Sequence, residues 1–390
     1  MAKSRLLEAD AIVIVAGLDS TTNDDYGVNA AALRPKSRAT GANLEELENF
    51  DPSSRALAGP LALSRLRGRG LIRLSTHIFR WALRRSVLPL PSSKISTEMG
   101  IKVHIDGQLL DEQDAKISVF DHGLLYGDGV FEGIRFYEGR VFECKEHIDR
   151  LFDSAKAIAL DIQLTREEVT EAMMATIRAN ELRDGYVRLV VTRGTGTLGL
   201  NPLHCPKASV IVIADKIQLY PPEKYENGLT LVTCSTRRPT PASLSPLVKS
   251  LNYLNNVMAK LEALNAGGEE GLMLNEEGNV AECTGDNIFI VKKGRISTPP
   301  LSAGALNGIT RRVMFKIAAQ LGIDLVEENQ TRYEVYTADE IFLTGTAAEV
   351  VPVATCDGRA IGDGKPGEMS RRFMAEFRKM TKNSGTPIYN

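Results

Sequence analysis

The chain has 390 residues, 43% hydrophobic and 25% charged, with a formal net charge of −2. This is ordinary globular composition, long enough for two domains with substantial cores, and its charge balance gives the whole protein no electrostatic reason to seek nucleic acid. The five cysteines, Cys144, Cys205, Cys234, Cys283 and Cys356, form no C-x-x-C pair, which argues against a disulfide framework and a metal site.

A reducing compartment, the cytoplasm, is therefore the expected location. The longest apolar runs, such as residues 208–214, are strand-sized and too short to span a bilayer. Residues 18–60 are polar and aperiodic, which predicts disorder. Residues 63–94 carry seven arginines and Lys94 with no acidic residue. That is the composition of a transit peptide, but a transit signal should lie at the very start. A basic membrane-surface or nucleic-acid-binding arm is a second reading. The favoured reading of residues 1–98 is a disordered or non-native extension, dispensable for catalysis, with Met99 as a plausible natural start. Were it a genuine transit segment, the location would be an organelle.

From Met99 the pattern alternates strands and helices. Lys102–Ile105 reads as a strand before an Asp106-Gly107 turn. Residues 146–160 place Ile148, Leu151, Phe152, Ala155 and Ile158 on one helical face. Thr165 and Glu168 form a capping box opening a helix through Asn180. Residues 186–192 and 208–214 are β-branched strands. Residues 220–228, with Pro221 and Pro222, read as an interdomain linker. Beyond it come a strand over 229–234, a helix over 252–266, a helix from Gly308 to Leu321, a strand over 340–343 and a last helix over 367–381. The expected architecture is α+β or α/β in two domains, a small one over 99–219 and a larger one over 229–390.

Gly194-Thr195-Gly196-Thr197-Leu198-Gly199 satisfies G-x-G-x-x-G, but a dinucleotide site also needs a helix to start there. Pro202 and Pro206 follow instead, so a glycine-rich substrate loop is expected. Anion binding has a better candidate at Gly308-Ile309-Thr310, where a helix start offers free N–H groups, a hydroxyl and a glycine that lets a ligand approach. The small-residue turn Thr344-Gly345-Thr346-Ala347-Ala348 could hold a carboxylate on its amides. Lys249 stands alone between a Pro/Ser/Thr-rich loop and an apolar helical run. A lysine in such surroundings loses hydration, and its amine becomes available to form a Schiff base with an aldehyde cofactor such as pyridoxal phosphate. Glu282 precedes the apolar strand 288–291, where its carboxylate could keep a pyridine nitrogen protonated.

Five segments in this order resemble the branched-chain aminotransferases, within the fold-type IV class of pyridoxal-phosphate enzymes. They are residues 126–135 (YGDGVFEGIR), 147–151 (HIDRL), 249–254 (KSLNYL), 282–289 (ECTGDNIF) and 345–349 (GTAAE). The resemblance runs from about Met99 to Lys379. It implies two α/β domains with the cofactor between them, and a homodimer or higher homo-oligomer. Lys249 looks like the Schiff-base lysine that also shuttles the Cα proton. Glu282 looks like the partner of the pyridinium nitrogen. Arg150 resembles the arginine on the cofactor phosphate, helped by Gly308, Ile309, Thr310 and Thr346. Tyr253 looks like the tyrosine beside the phenolic oxygen. Tyr126, Phe131 and Arg135 look like substrate-pocket residues. Thr346, Ala347 and Ala348 resemble the turn for the substrate α-carboxylate, and Arg188 the arginine near a glutamate side-chain carboxylate.

Two cousins of the same fold are weighed against this. D-amino-acid aminotransferases carry an arginine and a histidine shortly after the Thr-Arg-Gly-Thr loop, where this chain has Leu198 and Leu200. Aminodeoxychorismate lyases usually lack the Val130–Arg135 segment. The expected activity is transamination between L-leucine, L-isoleucine or L-valine and 2-oxoglutarate. A nicotinamide oxidoreductase would rest only on Gly194–Gly199, and a non-catalytic cofactor carrier is disfavoured by Glu282.

Overall fold

The computed structural model describes residues 100–389. The expectations for residues 1–98 and for Met99 lie outside the described residues. The strands are β1 (Lys102–Ile105), β2 (Gln108–Asp111), β3 (Gly129–Tyr137), β4 (Arg140–Val141), β5 (Gly185–Thr192), β6 (Ser209–Asp215), β7 (Leu229–Thr233) and β8 (Glu270–Leu274). They continue with β9 (Val280–Cys283), β10 (Asn287–Lys292), β11 (Arg295–Thr298), β12 (Leu325–Glu327), β13 (Glu340–Gly345), β14 (Glu349–Cys356), β15 (Arg359–Ala360) and β16 (Thr386–Pro387).

Two sheets result, which bears out the mixed α and β reading. The first has the order β16-β4-β3-β5-β6-β1-β2 and is antiparallel throughout. Helices Cys144–Ala157 and Arg166–Ala179 cover one face, and Val130, Ile134, Phe136, Leu151, Met173 and Leu189 fill the space between. The second runs β12-β11-β10-β13-β14-β7-β8-β9, with β15 on β14. It is mixed: β7 lies parallel to both β8 and β14. Helices Ile309–Leu321 and Glu368–Asn383 pack on it through Val313, Ile317, Phe373 and Phe377, against stacked Phe289 and Phe342.

The capping box is present as expected: Thr165 accepts from the Glu168 amide and Glu168 from the Thr165 amide. The first helix ends at Ala157, earlier than the periodicity predicts. Ala159 takes a left-handed φ of 51°, and the Leu160 amide turns back to the Ala155 carbonyl at 2.8 Å. That reversal drives Leu160 and Ile162 into the core, so the apolar period outlasts the helix. Residues 220–228, read as a linker, contain a short helix. Pro222–Asn227 has proline in its first turn, where the missing N–H costs nothing, and Gly228 ends it at φ 86°. After Gly194–Gly199 comes a 3-10 turn over Pro202–His204 and no α-helix, as the prolines predict.

Among the described residues, no helix is long and apolar enough to cross a membrane.

Candidate active site

Strand alternation separates two jobs on β3 and β5. Val130, Ile134 and Phe136, with Val187, Leu189 and Val191, point into the core. The opposite face, Phe131 and Gly133 with Tyr186, Arg188 and Val190, lines a cavity of about 410 Å³. Gly133 pairs with Arg188 across the ladder. A Cβ at Gly133 would lie 2.0 Å from the Tyr186 hydroxyl, so the tyrosine can lean across the strand only because that residue is glycine. Arg188 sits over the Phe131 ring, 4.6 Å from its centroid, as a cation on an aromatic face.

Lys249 reaches this cavity from an irregular segment laid along β3. Its carbonyl accepts the Phe131 amide at 3.0 Å, and the Leu251 amide donates to the Gly129 carbonyl at 2.9 Å. The Lys249 amide donates to the Ser154 hydroxyl at 3.2 Å. The side-chain amine stands 3.3 Å from the Tyr253 hydroxyl and 4.5 Å from the Phe131 ring centroid. Phe131 and Tyr253 meet edge-on at 5.1 Å.

Beside the cavity lies a narrower slot lined by Arg150, Glu282, Asn287, Gly308, Ile309, Thr310 and Thr344. Lys249, Tyr253, Gly285, Asp286 and Thr346 belong to both spaces, so the amine stands at their junction. Glu282 is buried and accepts from Arg238 at 2.8 Å, the Leu306 amide at 2.9 Å and Asn287 at 3.0 Å. Burial pushes its carboxyl up, and the Arg238 guanidinium and Leu306 amide pull against that. The helix Ile309–Leu321 begins at Gly308 with no side-chain cap, leaving its first N–H groups without intrahelical acceptors. Gly308 is needed for a reason the sequence did not reveal: a Cβ there would lie 2.1 Å from the Asn287 side-chain oxygen. The Thr344 hydroxyl is buried without a partner in the same slot.

Arg150 is locked from behind. Its guanidinium forks onto Glu132 at 2.7 and 2.8 Å and donates to the Asn307 carbonyl at 2.9 Å. His147 adds a third contact to Glu132 at 2.7 Å. Burial alone would raise the Glu132 carboxyl, but Arg150 and His147 hold it well below the usual carboxylate range. Desolvation lowers His147.

The structure thus brings together Lys249, Arg150, Tyr253, Glu282, Gly308, Ile309, Thr310, Thr346, Phe131, Arg188 and Ala347. Arg135 lies at the edge: it donates to the Ala347 carbonyl at 2.9 Å and lines a neighbouring cleft. Two expected residues stand apart. The Ala348 side chain is fully buried in the sheet core, so only its backbone can face the turn. Tyr126 lies outside both spaces, its hydroxyl donating to the Leu198 carbonyl. Its helix His122–Tyr126 is tied by an Asp121 cap and by His122 to the Thr197 carbonyl at 2.7 Å, which holds Tyr126 against the 197–200 loop.

A model of the amino-transferase class IV family matches residues 129–356, a span holding Arg150, Lys249, Glu282 and Thr346. The chain belongs to the class IV aminotransferases. The putative branched-chain-amino-acid aminotransferase of Methanocaldococcus jannaschii is 51% identical over 290 residues, 74% of this chain and 100% of that protein. The crystal structure of the Escherichia coli branched-chain amino acid aminotransferase superposes with a TM-score of 0.71 at 35% identity, over 72% of this chain and 95% of that one. The branched-chain aminotransferase of the thermophilic archaeon Thermoproteus uzoniensis, solved with norvaline, gives 0.70 at 39% identity, over 74% and 99%.

Four residues of this class IV aminotransferase site escaped the sequence reading: Glu132, Arg238, Asn287 and Asp286. Glu132 sat inside a quoted motif, and its signal was an acid at an inward-facing position between Phe131 and Gly133. Arg238 had none, because its contact with Glu282 joins positions 44 residues apart.

Proposed function

We propose that the chain is a branched-chain-amino-acid aminotransferase that binds pyridoxal phosphate and moves an amino group between L-leucine, L-isoleucine or L-valine and 2-oxoglutarate. The single observation that carries this is Lys249 at the junction of a polar, anion-ready slot and a larger cavity walled by Phe131, Tyr186, Val190 and Leu251. Three features fit the cofactor. The uncapped helix start, the unpartnered Thr344 hydroxyl and the pre-formed Arg150–Glu132 fork suit a phosphate. Glu282, buried and held by three donors, suits a protonated ring nitrogen. Tyr253, within hydrogen-bond reach of Lys249, suits a phenolic oxygen.

When bound, pyridoxal phosphate supplies an aldehyde carbon that accepts the amino group and a ring that absorbs electrons as the Cα proton leaves. The chain's residues supply position and proton transfer. Lys249 Nζ would hold the cofactor's aldehyde and stands where it can carry the substrate Cα proton. Glu282 favours the charged ring nitrogen over the neutral one. Arg150 and the 309–310 amides hold the phosphate, while Thr346 and Ala347 hold the substrate carboxylate. The aromatic and aliphatic walls exclude water and accept a branched side chain, and Arg188 meets the second carboxylate of glutamate. Among the described residues, Arg188 is the single guanidinium lining the larger cavity and no histidine lines it, which disfavours the arginine–histidine trap of the D-amino-acid enzymes.

A second copy of this chain is the proposed partner. Helix Leu254–Asn265 exposes Leu254, Val257, Met258, Leu261 and Leu264, an apolar stripe at helical spacing. Asn252 ties its start to the Gly127 carbonyl at 2.9 Å, joining the stripe to exposed Phe120 and Leu124. Sedimentation of the holoenzyme as a monomer at micromolar concentration would remove the dimer proposal. The test of activity is a panel of L- and D-amino acids with 2-oxoglutarate. Leucine, isoleucine and valine of the L series should lead, and a preference for D-amino acids would overturn the assignment.

A further inference from the structure

One polar side chain shared by the slot and the cavity has no role in that reaction. Asp286 is buried, lines both spaces and packs against Gly345, where an added Cβ would lie 2.0 Å from its Oδ1. Its Oδ2 lies 3.4 Å from the Tyr220 hydroxyl, which lies 3.1 Å from Oε2 of Glu270. Glu270 is richly supplied: Lys260 at 2.6 Å, the Thr284 amide at 2.7 Å, the Gly271 amide at 3.1 Å and the Thr284 hydroxyl. Asp286 has no ion-pair partner among the described residues.

Hydrogen counting favours one protonation pattern. The Tyr220 phenol owns one hydrogen and faces two carboxyl groups. If both acids are ionised, one of them faces the phenol oxygen without a donor. If Asp286 carries a proton, its O–H donates to the Tyr220 oxygen, whose own O–H donates to Glu270, and a hydrogen lies in both gaps.

We propose that Asp286 is kept uncharged so that the adjoining Gly345-Thr346-Ala347 turn can accept the substrate α-carboxylate, and that substrate binding weakens when Asp286 ionises. The proposal rests on the aminotransferase reading above and names a specificity-determining residue for it. A carboxylate in contact with Gly345 repels an incoming carboxylate, whereas a neutral acid does not. The surrounding charges agree. Burial first, then Glu270, raise Asp286 to about 7, with Lys260 and Tyr220 opposing and Glu282 adding to the rise. Tyr225 and Cys283 also face it, both raised by burial first and by Asp286 among other causes, and Lys249 and Tyr253 line the same two spaces.

The test uses holoenzyme and 4-methylvaleric acid, a branched carboxylate without an amino group, titrated calorimetrically at pH 6, 7 and 8. Binding to wild type should weaken about tenfold from pH 6 to pH 8, the ratio expected when only the protonated form binds and the midpoint is near 7. Asp286→Asn should bind at the pH 6 strength throughout. Tyr220→Phe should keep a pH dependence but move its midpoint upward: the phenol accepts from the neutral acid but turns to donate a stronger, charge-assisted bond to the ionised one, and that difference is lost. The same tenfold change in Asp286→Asn, a flat wild-type profile or an unmoved midpoint in Tyr220→Phe overturns the proposal. Infrared difference spectroscopy reads the proton without any ligand. The C=O stretch of a protonated acid should be present in wild type at pH 6, lost at pH 8 and missing from Asp286→Asn, and its absence from wild type at pH 6 overturns the proposal equally. If these results hold but L-leucine is not turned over, it is the functional reading that fails.

Discussion

Glu132 and Asp286 are two buried carboxyl groups at the Lys249 pocket, one behind Arg150 and the other in the lining, and they titrate in opposite directions. Both lose their hydration on folding. Glu132 meets a forked guanidinium and an imidazole, so the charged form wins. Asp286 meets a second acid and a shared phenol, with the Lys260 ammonium spent on Glu270, so the neutral form is favoured far above the usual carboxyl range. Burial sets the size of the penalty, and the partners within hydrogen-bond reach set its sign. On the proposed function, one region would hold a phosphate cation-first and the other would receive a carboxylate without repelling it.

The amine between the two regions gives the comparison its chemistry, and its loss is the largest expected effect. Lys249→Ala should reduce turnover of L-leucine on the order of 10⁴-fold or more, since no other group stands where the Cα proton must move. Near-normal turnover would show that the pocket between the two acids is not the reaction centre.

The Glu132 side breaks next. Glu132→Gln leaves Arg150 buried with its fork half unmade, and removing one partner of a buried pair typically costs about 3–5 kcal/mol. Thermal melting should fall by on the order of 10 °C, and pyridoxal phosphate should be lost on dialysis faster than from wild type. A variant that melts with wild type would mean that the fork is not what fixes Arg150. A smaller kinetic effect should come from Glu282→Gln, beside the stability lost with its buried Arg238 contact. Its neutral amide replaces one charge-assisted hydrogen bond, worth about 1.5–3 kcal/mol, so the single-turnover rate should drop roughly 10- to 100-fold with the cofactor still bound. An unchanged rate would remove Glu282 from the ring nitrogen.

The two regions also differ in how far the sequence revealed them. Lys249 and Glu282 were visible as candidates from their immediate surroundings and Arg150 only through the family resemblance of its segment, while the Thr165 cap and the helix start at Gly308 were legible from local pattern. Arg238 was not, since Asn256 and the Gly304 carbonyl orient it from positions distant in the chain. The Asp286–Tyr220–Glu270 relay was equally hidden. It joins the strand-end loop to β8 and to a residue read only as the start of a connection. Tyr126 shows the converse: its motif was visible, but only the fold reveals that the Asp121-capped helix turns it away from the pocket of its own chain.

The finest test of the comparison is the pH dependence of stability, where the two acids should pull in opposite directions. The folded-state pKa of Glu132 is depressed, so its stabilisation is present above its ordinary value of 4.5 and is lost as pH falls below it. Asp286 is raised from 3.8 to about 7, so the folded state binds its proton more tightly than the unfolded chain does. Its contribution is therefore fully present below pH 3.8 and declines as pH rises to about 7, then stays flat. Asp286→Asn removes that decline, so the melting temperature of the variant relative to wild type should rise between pH 5 and pH 8. The Glu132→Gln deficit should instead be constant over that window, because Glu132 stays ionised throughout it in both folded and unfolded chains. Parallel curves for wild type and Asp286→Asn would return Asp286 to the ionised state and erase the asymmetry between the two acids.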